Sequence, residues 1–128
     1  MEIGQPIRVM IDSRPLWNIT GIALEPTCTY RLQAEGEWKD KEYVCGPDGY
    51  GSRNVIMKMF ELLRRARNEN WFALIGALDS DERRLFLIGS ETIYAPTRVG
   101  VLTCFANDTR FTYGNNVGKV RLTVTRIS

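Results

Sequence analysis

Alternation of apolar and polar residues with a period of two runs through most of this chain, and that period puts side chains on one face only if the backbone is a β-strand. Cys28, Tyr30, Leu32 and Ala34 share one side of such a strand, with Thr27, Thr29, Arg31, Gln33 and Glu35 on the other. Val120, Leu122 and Val124 alternate in the same way with Lys119, Arg121, Thr123 and Thr125, and Ile7, Val9 and Ile11 with Arg8, Met10 and Asp12. These stretches predict antiparallel strands with one wet face. Trp71 to Leu78, Leu85 to Ile88 and Val99 to Ala106 are apolar on both parities, which predicts central strands covered on both sides. Chain reversals are marked at Glu25-Pro26, Gly46-Pro47-Asp48-Gly49, Asp79-Ser80-Asp81, Ala95-Pro96 and Tyr113-Gly114-Asn115-Asn116. Short strands at this spacing predict an all-β chain folded as a β-sandwich or jelly roll. A length of 128 residues suits one core, so residues 1–128 are expected to form a single domain.

One segment departs from the period. Between Asn54 and Asn68, Ile56, Met59, Phe60 and Leu63 recur at helical spacing, with Lys58, Glu61, Arg64 and Arg65 on the other side. The spacing predicts one inserted amphipathic helix over 54–68, capped by Ser52 or Asn54, with Arg64, Arg65 and Arg67 complementing its C-terminal dipole. That arginine cluster reads most simply as a solvated helix face, although it also suits a phosphate or an acidic glycan. Trp17, Trp38 and Trp71 lie in or beside expected strands, where core packing is the simplest role for them.

Composition narrows the chemistry. The chain has no histidine, which excludes Ser-His-Asp and Cys-His nucleophiles, histidine general bases and Cys/His zinc sites. Cys28, Cys45 and Cys104 are odd in number and widely spaced, so a disulfide framework is not expected and at least one thiol should be free. A net charge of +2 provides no strong field for nucleic acid, and no apolar run is long enough to span a bilayer, so neither a nucleic-acid partner nor membrane insertion is expected. The first residues lack a basic stretch followed by an apolar one, which predicts cytoplasmic synthesis without a signal peptide and leaves open an unconventional route of export.

The stretch from Asn107 to Gly118 concentrates oxygen-bearing side chains between an apolar strand and the final alternating one. A hard cation such as Ca²⁺ takes six to eight oxygen ligands. Asp108, Thr112, Asn115 and Asn116 could supply several of them from a loop bent at Gly114. The spacing is not that of an EF-hand, and a polar hairpin loop with Asn and Gly as turn formers accounts for the same residues.

The run Asp108-x-x-x-Thr112-x-x-Asn115-Asn116-x-Gly118 resembles the calcium site of the PA-IL-like bacterial galactophilic lectins. The resemblance extends through Trp17-x-x-Thr20-Gly21-Ile22-x-Leu24, Tyr30-x-Leu32-x-Ala34-x-Gly36-x-Trp38, Gly46-Pro47-Asp48-Gly49, Trp71 to Ala77 and Tyr94-Ala95-Pro96. It implies a jelly-roll β-sandwich of the galactose-binding-domain type. It also implies one Ca²⁺ that bridges the protein to two vicinal sugar hydroxyls, and hence a calcium-dependent lectin for galactose-like sugars. Carried over residue by residue, Asp108 becomes the charged ligand, Asn115 and Asn116 side-chain ligands, and Thr112 a backbone-carbonyl ligand. A further carbonyl falls at Asp40 or Lys41, of which Asp40 is preferred. Asp108, Thr112 and Asn115 would also touch the sugar. The family's histidine and glutamine contacts are missing; the 54–68 segment stands in their place, and Tyr50 and Arg53 are the expected sugar contacts there.

Shallow sugar sites bind weakly and gain avidity in number, so a homo-oligomer, dimer or tetramer, is expected. With one confident carboxylate, the ion should bind with a Kd on the order of 10⁻⁵ to 10⁻³ M. Two rivals remain: a protein-interaction module on the same fold that has lost the sugar, and a glycosidase. No carboxylate pair stands out for the latter, and no enzymatic activity is expected.

Overall fold

The computed structural model describes residues 1–128. Ten strands form, β1 (Pro6–Asp12), β2 (Asn18–Leu24), β3 (Tyr30–Glu35), β4 (Trp38–Asp40), β5 (Tyr43–Cys45), β6 (Leu74–Leu78), β7 (Phe86–Leu87), β8 (Glu91–Tyr94), β9 (Gly100–Ala106) and β10 (Asn116–Arg126). One short helix, α1 (Val55–Met59), and 3-10 turns at Glu61–Leu63 and Tyr113–Asn115 complete the elements. Every strand pairing is antiparallel. The larger sheet runs β5-β4-β10-β3-β8 with β1 also on β10, and the smaller runs β2-β9-β6-β7. The outcome is the all-β sandwich that the alternation predicts.

The core lies where the pattern puts it. Tyr30, Leu32 and Ala34 of β3 and Val120, Leu122 and Val124 of β10 are buried from the larger sheet, and they meet Leu24, Leu74, Leu78, Leu102 and Cys104 of the smaller one. β6 is buried along its whole length, and its two parities have different partners. Leu74 and Leu78 face the other sheet, whereas Ala73 and Ile75 join Phe105 and Ala66 in a second cluster on the outer side. Trp17 closes that cluster edge-on to Phe105, with ring centroids 5.0 Å apart. The segment Leu85 to Ile88 yields only the two-residue β7, which is an edge strand and not a central one; Ile88 is buried in the main core with Phe86 packed against it, Leu85 packs on the outer cluster and Leu87 is exposed. Trp38 and Trp71 are core residues, and all three cysteines are free thiols. The Gly46–Gly49 turn is held tight, because a Cβ on Gly49 would sit 2.1 Å from the Trp71 carbonyl oxygen.

The helix expected over 54–68 is much shorter. Asn54 caps it as anticipated, its side chain accepting from the Met57 N–H at 2.8 Å, but helical geometry ends at Met59 and Arg64 is extended (φ −61°, ψ 141°). The reason is competition from tertiary partners. Arg64 bridges to Thr109, the Arg65 N–H donates to the Asp108 carbonyl at 3.1 Å, and the fully buried Asn107 side chain takes over the backbone that follows. Asn107 accepts from the Ala66 N–H and donates to the carbonyls of Ala66, Glu69 and Asn70. A helix of a few turns is marginal by itself and yields to such bonds. No residue of α1 or of the turn after it is buried, so the apolar face that the spacing assigned to the core points to solvent instead.

Within the arginine cluster, Arg67 is exposed and Arg64 half-buried, but Arg65 is not part of a solvated face. The Arg65 side chain is 1% exposed, ion-paired to Glu82 at 2.8 Å and stacked 3.5 Å above the Phe105 ring. It donates further to the Leu16 carbonyl and to the Tyr113 hydroxyl. A guanidinium tolerates this position because its planar face stacks on aromatic rings while both terminal nitrogens are paired, leaving only its Nε buried without an acceptor.

Candidate functional site

β9 delivers the chain to the edge of the sandwich, and the loop from Asn107 to Asn115 folds back before β10 begins at Asn116. Asn107 and Arg65 anchor this loop from beneath, and the Tyr113 hydroxyl donates to the Ala106 carbonyl at 2.6 Å. Asp108 and Asn116 are both buried, at 3% and 0% exposure.

Asp108 uses one oxygen for the loop itself: Oδ1 accepts from the Thr109 N–H at 2.8 Å and from the Thr112 hydroxyl at 2.6 Å. Its Oδ2 is buried with no donor. Asn116 repeats the arrangement, with its amide nitrogen donating to the Ser13 carbonyl at 2.8 Å and its Oδ1 buried without a donor. A buried oxygen without a partner costs about 1–3 kcal/mol, so two at neighbouring residues of one site need a reason. Burial pushes the Asp108 carboxyl up to about 6; bonds from Thr112 and Thr109 oppose the rise, and the charge on Asp40 adds to it.

Asp40 enters through strand register, pairing with Asn116 across β4 and β10. Its Oδ2 accepts a hydrogen bond from the Tyr50 hydroxyl. Burial and that bond hold the Tyr50 hydroxyl far above its ordinary pKa. The hairpin after Asp40 is fixed to the loop by the Lys41 N–H, which donates to the Asn115 carbonyl at 3.1 Å, with Lys41 itself at a left-handed φ of 60°.

Asp40, Asp108, Thr112 and Asn115 are among the residues that line a cleft of about 220 Å³. Thus four of the sequence-derived ligands converge on one cleft, and Asn116 is the in-register neighbour of Asp40. Tyr50 reaches the cleft only through Asp40, and its ring packs against Tyr43. Arg53 stacks 4.0 Å over Tyr43 and is not among the lining residues.

The apolar part of the lining was not apparent from the sequence. It consists of Ile56, Met57, Phe60, Trp71 and Phe111, so the cleft combines polar and apolar residues. Only Phe111, an aromatic inside an otherwise polar loop, offered a local clue; the others belong to segments whose periodicity pointed to a core. A larger groove of about 450 Å³ lies between Arg67, Glu69, Glu82 and Arg83, but Glu82 there is already paired with Arg65 and Arg110.

The donor set fits a hard cation. Carboxylate, side-chain amide and backbone carbonyl oxygens are the ligands that Ca²⁺ takes, and the two oxygens without donors belong to the residues placed as ligands. No three His, Cys, Asp or Glu side chains gather anywhere in the chain, so a cation would depend on neutral oxygens beside Asp108 and Asp40. Soft or nitrogen-seeking metals find nothing suitable here.

The sequence matches no protein-family model, and no curated protein is significantly similar to it. Among solved structures, the chain is similar to one described as the EclA N-terminal domain, a PllA-like lectin, with 18% identity and a TM-score of 0.70 over 93% of this chain and 94% of that one. Backbone similarity at that identity establishes a shared β-sandwich fold.

Proposed function

We propose that this chain is a calcium-dependent carbohydrate-binding protein without enzymatic activity, akin to the PA-IL-like lectins and selective for galactose-like sugars. The observation that carries this reading is the pair of buried oxygens without donors, Asp108 Oδ2 and Asn116 Oδ1, in a sandwich whose solved structural neighbour is a lectin domain. In a low-dielectric site an oxygen without a donor attracts a cation.

Asp108, Asn115 and Asn116 side chains and the Thr112 carbonyl would hold the ion, with Asp40 as the remaining protein ligand. Bound Ca²⁺ supplies open coordination positions that a vicinal diol fills in place of water. The protein's own residues do the rest. Thr112 and Thr109 orient the Asp108 carboxylate through its Oδ1. Tyr50 orients Asp40, and the rigid β10–β4 register fixes the span between Asp40 and Asn116. Asp108 can accept from the sugar hydroxyls and Asn115 can accept from or donate to them, while the exposed Phe111 offers apolar surface to the ring's C–H face. With Arg53 on Tyr43, Tyr50 contributes through Asp40 and not by direct contact.

Calorimetric titration of Ca²⁺ into chelator-stripped protein, followed by galactose, tests the reading. Saturable calcium heat that disappears in Asp108→Asn, and sugar heat seen only after calcium, are expected. Sugar binding that persists in excess chelator would overturn the calcium requirement, and absence of both heats would overturn the reading as a whole.

A further inference from the structure

The cleft of about 220 Å³ has room for roughly seven liquid waters at ~30 Å³ each, which suits one monosaccharide ring and excludes a second. A ring that brings its diol to Asp108 and Asp40 therefore has its other groups within reach of the apolar part of the lining. Two unconnected segments build that part. Ile56, Met57 and Phe60 fall within about 100° of one another around α1 and its C-cap, so one face of the short helix turns to the cleft. Phe111 comes from the loop that carries Asp108 and Thr112. Ile56, Phe60 and Phe111 are 67%, 43% and 73% exposed, and large apolar side chains left open around one cleft mark a ligand surface.

The helical segment is fixed in this position. Asn54 caps it, Glu61 accepts from the Ser52 hydroxyl, and that hydroxyl accepts from the Trp71 Nε1–H at 2.9 Å. Arg64 stacks 5.3 Å over the Trp71 ring and bridges to Thr109. The five apolar side chains carry one N–H or O–H between them, on Trp71, and it is already spent on Ser52. A sugar hydroxyl pressed against them gives up its bonds to water and gains none, whereas a methyl group there only removes its own surface from water.

We infer that the sugar taken here is a 6-deoxyhexose of galactose-like configuration, held with its diol at the cation and its methyl group against Ile56, Phe60 and Phe111. The inference rests on the lectin reading above and refines its sugar class. In a galactose-like ring the hydroxymethyl group on C5 stands beside the cis pair of hydroxyls on C3 and C4 and projects furthest from the ring. A diol at the cation thus brings that group to the neighbouring lining. It is also the one polar group whose oxygen can be absent without touching the diol. The three site types differ in sign: a group left in water makes the hydroxymethyl and methyl sugars equal, a polar partner favours the hydroxymethyl sugar, and an apolar lining favours the methyl one.

Calorimetry of the calcium-loaded chain with two matched pairs, D-galactose with D-fucose and L-galactose with L-fucose, tests this, because the members of a pair differ by one oxygen. In at least one pair the deoxy sugar should bind about three- to tenfold more tightly. At least one of Ile56→Ser and Phe60→Ser should bring that ratio towards one at unchanged calcium affinity, and Ile56→Leu should keep it. A deoxy sugar that binds no more tightly in either pair, or a ratio unchanged in both serine variants, would overturn the proposal and leave the lectin reading standing. A gain for phenyl β-D-galactoside over methyl β-D-galactoside, with none for either deoxy sugar, would assign the apolar lining to an aglycone and overturn it too. Absence of calcium heat on the same samples would overturn the lectin reading and this inference together.

Discussion

Replacing Asp108 by asparagine keeps the outline of the side chain and its acceptor for Thr109 and Thr112, removes the charge, and places an amide where Oδ2 had no donor. In the unfolded chain this carboxyl ionises near 3.8, and burial raises that to about 6 in the folded protein. A raised acid pKa means the folded state holds its proton more tightly than the unfolded one. The associated stability is therefore fully present below about 3.8 and is lost as pH rises towards 6. Above that range the buried charge costs about 3 kcal/mol, since each pKa unit is worth 1.36 kcal/mol. Part of this reflects charge-assisted bonds that an amide replaces with weaker ones, so Asp108→Asn should stabilise the metal-free protein by about 1–3 kcal/mol near neutral pH. Urea denaturation in chelator near pH 7.5 and near pH 5 reads this directly, and the advantage should shrink at the lower pH. Calcium at about 100 times its Kd should add about 2.7 kcal/mol to the wild type only, narrowing or reversing the order. If the variant is less stable than wild type in chelator, or its advantage is the same at both pH values, Asp108 is not a destabilising charge kept for a cation.

Asn107→Ala removes four hydrogen bonds to the 66–70 backbone and should cost about 2–4 kcal/mol, with the loss also lowering calcium affinity because the Asp108 loop rests on that segment; urea melts and calorimetry measure the two effects. Arg65→Lys keeps the charge and loses the stacking on Phe105 and the fork to Leu16, Tyr113 and Glu82, so a loss of about 2–3 kcal/mol in the same melts is expected, and an unchanged midpoint would mean the cation–π packing contributes nothing.

Much of the candidate site was legible in the chain because its ligands are local. Asp108, Thr112 and Asn115 lie within one loop and Asn116 directly after it, so residue type showed a cluster of oxygens there, while the ligand roles came from the resemblance to a known family. Asp40 needed the strand register to place it beside Asn116, because the resemblance to a known family left the position open between Asp40 and Lys41. The apolar wall could not be read, since Ile56, Phe60 and Trp71 carry the same hydrophobic signal whether they face a core, a cleft or water.

What the sequence by itself determined is the class of fold. A period of two admits only strands, and the segments apolar on both parities, β6 and β9, were bound to be covered on two sides. What only the tertiary structure decided is everything that depends on competition between partners. The helical period of 54–68 is real, yet the buried Asn107 amide and the backbone of Asp108 offer the residues after Leu63 bonds that a short helix cannot match. Arg65 is a surface residue by composition and a core residue by position, because Phe105, Glu82 and Tyr113 converge on it from distant parts of the chain. The two oxygens without donors are likewise a tertiary fact: a sequence shows which atoms can bind a cation, but only the packed chain shows which were left with nothing else to bind.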